Sequence, residues 1–181
     1  MILREATLSD IPQIYSLSQT ITYNSEAKSE SGFLVAGYTA EKYSELLGKS
    51  IFYVAVENER IVGYRIAVEV GNLSHKQIYT SFHRVTWENV DLRDVDRLIY
   101  LAQSGVHPDF RRRGIASLSL NHLYEKYPDY SFFCAIAEKP VRNSASIAFF
   151  ESKGYQRIGF FRPEKYKDIQ EYMSGRYALI R

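Results

Sequence analysis

The stretch from Val106 to Ala116, Val-His-Pro-Asp-Phe-Arg-Arg-Arg-Gly-Ile-Ala, gathers residue types suited to holding an anion. A mostly apolar run from Leu98 to Val106 ends at Pro108, and an amphipathic stretch opens at Gly114. That order predicts a buried strand, a short loop and a helix. The first-turn N–H groups of a helix have no internal partners and lie at its positive end. Such an end binds phosphate readily. Gly114 lets the backbone approach an anion without an intervening Cβ. Ile115 follows it, and Ala116 and Ser117 keep the rim small. Arg111, Arg112 and Arg113 add positive charge beside the same amides. The competing reading is a solvated charge run or a weak nucleic-acid patch. Placement between a buried strand and a glycine-led helix favours the phosphate site.

These residues resemble the acetyl-CoA motif of the GNAT superfamily of N-acetyltransferases, Gln/Arg-x-x-Gly-x-Gly/Ala. Arg111, Gly114 and Ala116 fill its defined positions. The approach from Val106 to Phe110 is similar to the family's own. Downstream, Asn143-Ser144-Ala145-Ser146 followed by Phe149-Phe150-Glu151-Ser152-Lys153-Gly154-Tyr155 resembles the second family signature. The order of elements agrees over nearly the whole chain. The resemblance implies an α/β (α+β mixed) fold: a central mixed, mostly antiparallel sheet with one parallel βαβ unit and helices on both faces. It implies acetyl-CoA as acyl donor, an amine as acceptor and no metal, and it leaves a homodimer open.

By the same resemblance, the amine attacks the thioester directly. It loses a proton, the carbonyl oxygen becomes an oxyanion, and the CoA thiolate leaves. A splay in the fourth long strand would expose N–H groups near Ser104, Gly105 and Val106, with the Val106 N–H as oxyanion donor. One such donor is worth about 3 kcal/mol. Gly105 on its own marks a bulge or close packing, and the two readings coexist because a bulge would free the amide. The resemblance places Asn143 on the pantetheine arm, with Ser146 and Phe150 also at the cofactor. Asn143 is equally a strong helix N-cap by residue type.

Phe150 departs from the family pattern, in which many members carry a tyrosine general acid there. Phenylalanine has no proton to give, and general acid catalysis typically contributes about 100- to 10,000-fold. A thiol with a pKa near ~8.5 still leaves tolerably as an anion. Tyr124 and Tyr155 are nearby hydroxyls, with core packing as their competing reading. For the base, the fourth strand offers Asp96, Tyr100 and Gln103. Tyr100 stands where some members carry a carboxylate, and with an ordinary pKa near ~10 it needs help. A water chain to Glu69 is the alternative. His75, His83, His107 and His122 show no metal-ligand spacing. His75 and His83 fall in the region flanking the acceptor cleft and read as surface-loop residues. The resemblance builds that cleft from residues 22–47, 71–96 and 160–176, which mix Tyr, His, Lys and Glu without a dominant sign.

Positioning these groups requires the following elements. Ile2 to Thr7 reads as a strand, and Ser9-Asp10-Ile11-Pro12 as a helix start with a capping side chain and an early proline. Ile11, Ile14, Tyr15 and Ser18, with Ile21, make the helical stripe. Residues 22–37 read as loop, and Thr39 caps a short helix that Gly48 ends. Ile51 to Glu57 and Ile61 to Val70 form an antiparallel hairpin. Lys76 to Trp87 holds strand-forming residues, and Asp91 to Arg97 is a loop or one helical turn. A helix from Gly114 carries Ala116, Leu120, Leu123, Tyr124 and Tyr127 on one face and stops at Pro128. Ser131 to Ala137 completes a strand–helix–strand unit. Asn143 starts the next helix, with Ile147 and Phe150 inward and Gly154 after its end. Tyr155 to Phe161 and Tyr177 to Ile180 are the last strands.

The chain has 181 residues, enough for one domain spanning residues 1–181 that buries about 70% of its unfolded surface. With 23 basic and 21 acidic residues, the net charge of +2 gives no field that argues for nucleic acid. Cys134 stands alone, which excludes a disulfide framework. No signal-peptide pattern opens the chain and no apolar run approaches the ~18 residues of a membrane span, so a cytoplasmic protein is expected. The leading functional expectation is an acetyl-CoA-dependent N-acyltransferase. The alternative, motivated by Phe150, is a non-catalytic acyl-CoA-binding module of the same fold.

Overall fold

The computed structural model describes residues 1–24, 29–70 and 84–181. In chain order these form β1 (Ile2–Glu5), α1 (Ile11–Thr20), α2 (Ala40–Leu46), β2 (Ile51–Glu57), β3 (Arg60–Val70), β4 (Thr86–Trp87), β5 (Leu98–Val106), α3 (Ile115–Lys126), β6 (Ser131–Lys139), α4 (Ser144–Glu151), β7 (Gln156–Phe161) and β8 (Met173–Leu179). Antiparallel strand pairs interspersed with helices give the mixed α/β class that the sequence predicts. Two compact units divide the chain: Met1–Ser25, Phe33–Val68 and Leu101–Pro128 in the first, and Glu26–Gly32, Glu69–Tyr100 and Asp129–Arg181 in the second.

In the first unit, β2 and β3 pair as the expected antiparallel hairpin. Asn58 and Glu59 both take positive φ at its tip, which matches the twist of the flanking strands. β1 pairs antiparallel with β2, and β5 lies beside β3. Phe52, Val54, Tyr64 and Ile66 pack on α1 and α2 through Ile11, Ile14, Leu17, Ile21 and Tyr43. Ala55 and Val62 pack with Ile115 at the start of α3. Cover on both faces explains why β3 is buried almost along its length.

Side chains compete for the backbone groups at the ends of β1 and α1. β1 ends at Glu5, two residues short of the expected Thr7, because Thr7 opens a 3-10 turn and donates its N–H to Asp10 Oδ2 at 2.8 Å. Ser9 and Asp10 do not cap α1 through their side chains: the buried Asp10 carboxylate accepts instead from Arg4 at 2.7 and 2.8 Å. Leu17 joins the buried stripe, whereas Tyr15 is exposed. Thr39 caps α2 as expected, accepting from the Lys42 N–H at 3.2 Å.

In the second unit, the strand order is β6-β8-β7-β4, with antiparallel pairing throughout. Val70, Leu92, Leu98, Phe133, Ile158 and Ala178 form its core. The stretch from Asp91 contains one helical turn, Leu92–Asp94. β8 begins four residues before the expected Tyr177, at Met173. Its polar and glycine residues hide the strand pattern in sequence, but as an inner strand it pairs with β6 along its length and with β7 from Ser174 to Ala178. The part of the expected 76–87 strand before residue 84 lies outside the described residues; Thr86–Trp87 is strand.

Candidate functional site

β5 spans Leu98 to Val106, as its apolar run predicts. The His107 N–H continues the ladder beyond the strand's end, donating to the Val62 carbonyl at 2.9 Å. Amide directions alternate along a strand, so the Val106 N–H points to the opposite edge, away from β3. Gly105 serves close packing: an added Cβ would lie 2.5 Å from Ile21 Cδ1 and 2.7 Å from Tyr64 Cε1. Across the pair, a Cβ on Gly63 would lie 2.7 Å from Ile115 Cγ2 and 3.2 Å from the Gly105 oxygen. Two glycines therefore bring β3, β5 and the first residue of α3 together.

The turn after β5 is built around Phe110. Its ring carries the Arg113 guanidinium at 4.7 Å and the Arg60 guanidinium at 5.8 Å. Arg60 also donates to His107 Nε2 at 2.6 Å, and Arg113 pairs with Glu57 Oε1 at 3.4 Å. The three successive arginines thus divide. Arg113 ties the turn to the hairpin, Arg112 is exposed, and Arg111 is half-buried, with burial pulling its pKa down. Arg112 and Gly114 are both left-handed, with φ of 64° and 80°. Such turns converge successive N–H groups into a concavity suited to an anion. Gly114 is the N-cap of α3 and no side chain caps the helix there. The helix begins at Ile115, one residue after the expected start. Its first-turn amides, through Ser117, meet a positive helix end with no side-chain oxygen of the cap residue in front.

Beneath this turn lies a residue that the sequence reading missed. Arg65 of β3 is 1% exposed and donates from Nε to Ser119 Oγ at 2.9 Å and from Nη2 to the Ala116 oxygen at 3.1 Å. The available signal was a lone cation inside the apolar run from Ile61 to Val70.

Both ends of the Gln103 amide are engaged: its Oε1 accepts from Tyr43 at 2.7 Å and Tyr64 at 2.8 Å, and its Nε2 donates to the Ala36 oxygen at 3.2 Å. Burial raises the Tyr64 pKa, which keeps that hydroxyl a donor. Asp96 is exposed and precedes β5 rather than lying on it. Glu69 accepts from the Tyr130 hydroxyl at 2.5 Å. Tyr100 stacks on Phe133, with ring centroids 4.7 Å apart and planes at 26°. His122 meets the Tyr53 ring edge-on at 4.9 Å. His75 and His83 lie outside the described residues, among which no group of three His, Cys, Asp or Glu side chains is placed to hold a metal.

In the second unit, Asn143 is buried and caps α4, its Oδ1 accepting the Ser146 N–H at 3.2 Å. Phe150 is buried on α4, its ring 4.9 Å from Tyr155 and 5.1 Å from Phe149. Tyr155 is itself buried, and Tyr124 on α3 is half-buried.

Residues 11–155 match the profile of the acetyltransferase (GNAT) family. This chain belongs to the GNAT family. The matched span holds both the turn at 106–117 and the segment from Asn143 to Tyr155. No curated protein matches this GNAT chain in sequence. Its fold is shared with solved structures at low identity. The smu.2055 protein of Streptococcus mutans UA159 superposes with a TM-score of 0.68 at 16% identity, covering 99% of each chain. A ribosomal-protein-alanine N-acetyltransferase of Brucella melitensis gives 0.68 at 17% identity, covering 100% of each. NAA60 of Arabidopsis thaliana in complex with acetyl-CoA gives 0.69 at 14% identity, covering 98% of this GNAT chain and 97% of that one. Among the described residues, no helix is long and apolar enough to cross a membrane.

Proposed function

We propose that this chain is an N-acetyltransferase that moves an acetyl group from acetyl-CoA to an amine in a single domain. The observation that carries the reading is the turn in which left-handed Arg112 and Gly114 open α3 without a capping side chain. That turn would receive the pyrophosphate, with Arg111, Arg112 and Arg113 supplying charge and the amides of Gly114, Ile115, Ala116 and Ser117 the donors. Ser104 and Gly105 would run beside the pantetheine arm, and the Val106 N–H would donate to the oxyanion. Asn143, Ser146 and Phe150 would complete the cofactor contacts. Family membership and the acetyl-CoA complex of the similar Arabidopsis protein support this reading.

In the reaction, the lone pair of the amine forms the C–N bond and the C–S bond breaks. The thiolate carries away the electron pair, and the amine gives up a proton. Tyr100 is the group proposed to take that proton. Phe150 has none to return to sulfur, so the thiolate leaves as an anion or takes its proton from another donor. This position also sustains the second reading, a binder of acyl-CoA without turnover.

Incubating the protein with acetyl-CoA and a broad amine panel, and following free thiol, separates the two. Thiol release above background with any amine supports transfer. Tight CoA binding with no release across the panel favours the binder. CoA binding insensitive to moderate salt, with no retention of duplex or single-stranded nucleic acid, excludes the arginine run as a nucleic-acid contact.

A further inference from the structure

Arg176 stands alone as a charge on the inner strand β8, and its surroundings are unusual for a cation. It is 7% exposed, yet its only hydrogen-bond partner among the described residues is Ser174, to whose Oγ it donates from Nη1 at 2.7 Å. Its guanidinium also lies 5.4 Å from the centre of the Phe161 ring. A guanidinium carries five N–H donors, and a buried charge is strongly disfavoured unless paired. No carboxylate forms an ion pair with Arg176 among the described residues.

The strand register shows what lies beside it. Directly opposite Arg176 stand Ala135 on β6 and Gly159 on β7, so its neighbours on that face are the two smallest side chains. Ala135 is exposed although it sits in the interior of β6, flanked by buried residues. Ser174 and its partner Phe161 continue the same face. The segment between β7 and β8 adds Tyr166 and Tyr172, stacked at 4.0 Å. Burial lowers the pKa of Arg176, and nearby Tyr100, Tyr172, Cys134 and Tyr166 only partly offset it. Small neighbours, one of them the exposed Ala135, an aromatic ring beside the guanidinium and one under-used planar fork match a carboxylate, which accepts two parallel N–H bonds.

We propose that Arg176 binds a carboxylate carried by the amine acceptor, so that the substrate class is an amine bearing a carboxylate in the same molecule. This rests on the acetyl-transfer reading above, because it assigns the anion to the acceptor. The carboxylate can come from a free amino acid or from an acidic side chain next to a peptide's amino terminus, and matched acceptors distinguish the two.

The test uses pairs that differ only at the carboxylate: glycine and glycinamide, alanine and alaninamide, and dipeptides Ala-Asp and Ala-Asn. Binding to the protein saturated with CoA is measured by calorimetry, and turnover with acetyl-CoA by thiol release. In at least one pair the carboxylate member should bind or turn over better, by roughly 10- to 100-fold. Arg176→Gln should bring that pair to equality. Arg176→Lys keeps the charge without the fork and should recover part of the difference. Unchanged CoA affinity certifies that a variant is folded, and the lysine variant serves if the glutamine one is not. Wild-type protein that discriminates in no pair, by either measurement, overturns the proposal. So does discrimination that survives Arg176→Gln. Thiol release without carboxylate preference would sink the Arg176 assignment and leave acetyl transfer standing. Arg176-dependent carboxylate binding without thiol release would leave the carboxylate site standing but sink acetyl transfer, and with it the assignment of the anion to an acceptor.

Discussion

Arg65 Nε lies 2.9 Å from Ser119 Oγ, and this bond ties the middle of β3 to the first turns of α3. Ser119 in turn donates to the Ala116 oxygen at 3.2 Å, which Arg65 also reaches, so cation, hydroxyl and helix carbonyl form one buried group. Replacing Ser119 by Ala removes an acceptor from a buried charge. The expected loss is about 2 kcal/mol of unfolding free energy, read from urea denaturation. CoA affinity should fall with it, because the helix start proposed to offer its amides to the phosphates is no longer held. A Ser119→Ala protein with wild-type CoA affinity would separate the Arg65 group from the turn.

Gly114 offers a cleaner test of the turn itself. An added Cβ there would meet nothing within 4 Å, while the backbone holds φ at 80°. Gly114→Ala should therefore lower stability by about 1 kcal/mol through conformation alone and leave room for the ligand. Gly114→Glu adds bulk and negative charge in front of the amides and should abolish CoA binding in calorimetry. Retained affinity in the glutamate variant would refute the site.

At Phe150, substitution by Tyr restores the side chain that many GNAT members use as general acid. If proton supply to the thiolate limits the rate, kcat should rise, by up to about 100-fold, with little change in KM for acetyl-CoA. The position is buried against Tyr155 and Phe149, so the variant's thermal stability should be measured alongside. An unchanged rate assigns the proton to another donor.

The Asp10 carboxyl is held down to about 2 from 3.8, first by hydrogen bonds from Arg4, with Thr7 adding to them against the cost of burial. A depressed pKa in the fold means that the stabilisation is complete above the ordinary value and is lost as pH falls through the folded one. Stability should therefore drop between about pH 4 and pH 2, by about 2 kcal/mol from this group. Asp10→Asn should flatten that part of the pH profile and lower stability by a similar amount at pH 7. The partner Arg4 is itself partly exposed, so high salt should trim the effect.

The sequence alone determined the local devices. The apolar run of β5, the glycine that opens α3, the caps at Thr39 and Asn143 and the hairpin at Asn58 and Glu59 follow from residue type and spacing, since each depends on neighbours a few positions away. The family signatures came from the same short stretches. Strand boundaries were less legible where polar residues interrupt the pattern, as in β8, whose pairing on both edges overrides propensity. What only the tertiary structure decided was the fate of individual charges and hydroxyls. Gln103 is spent on Tyr43 and Tyr64, Arg113 on Glu57 and Phe110, and Arg65 lies buried under the helix that holds the turn. Arg176 is buried beside an exposed alanine. Each of these depends on contacts between residues distant in the chain, and a side chain's type does not say which distant partner will satisfy it or leave it to a ligand.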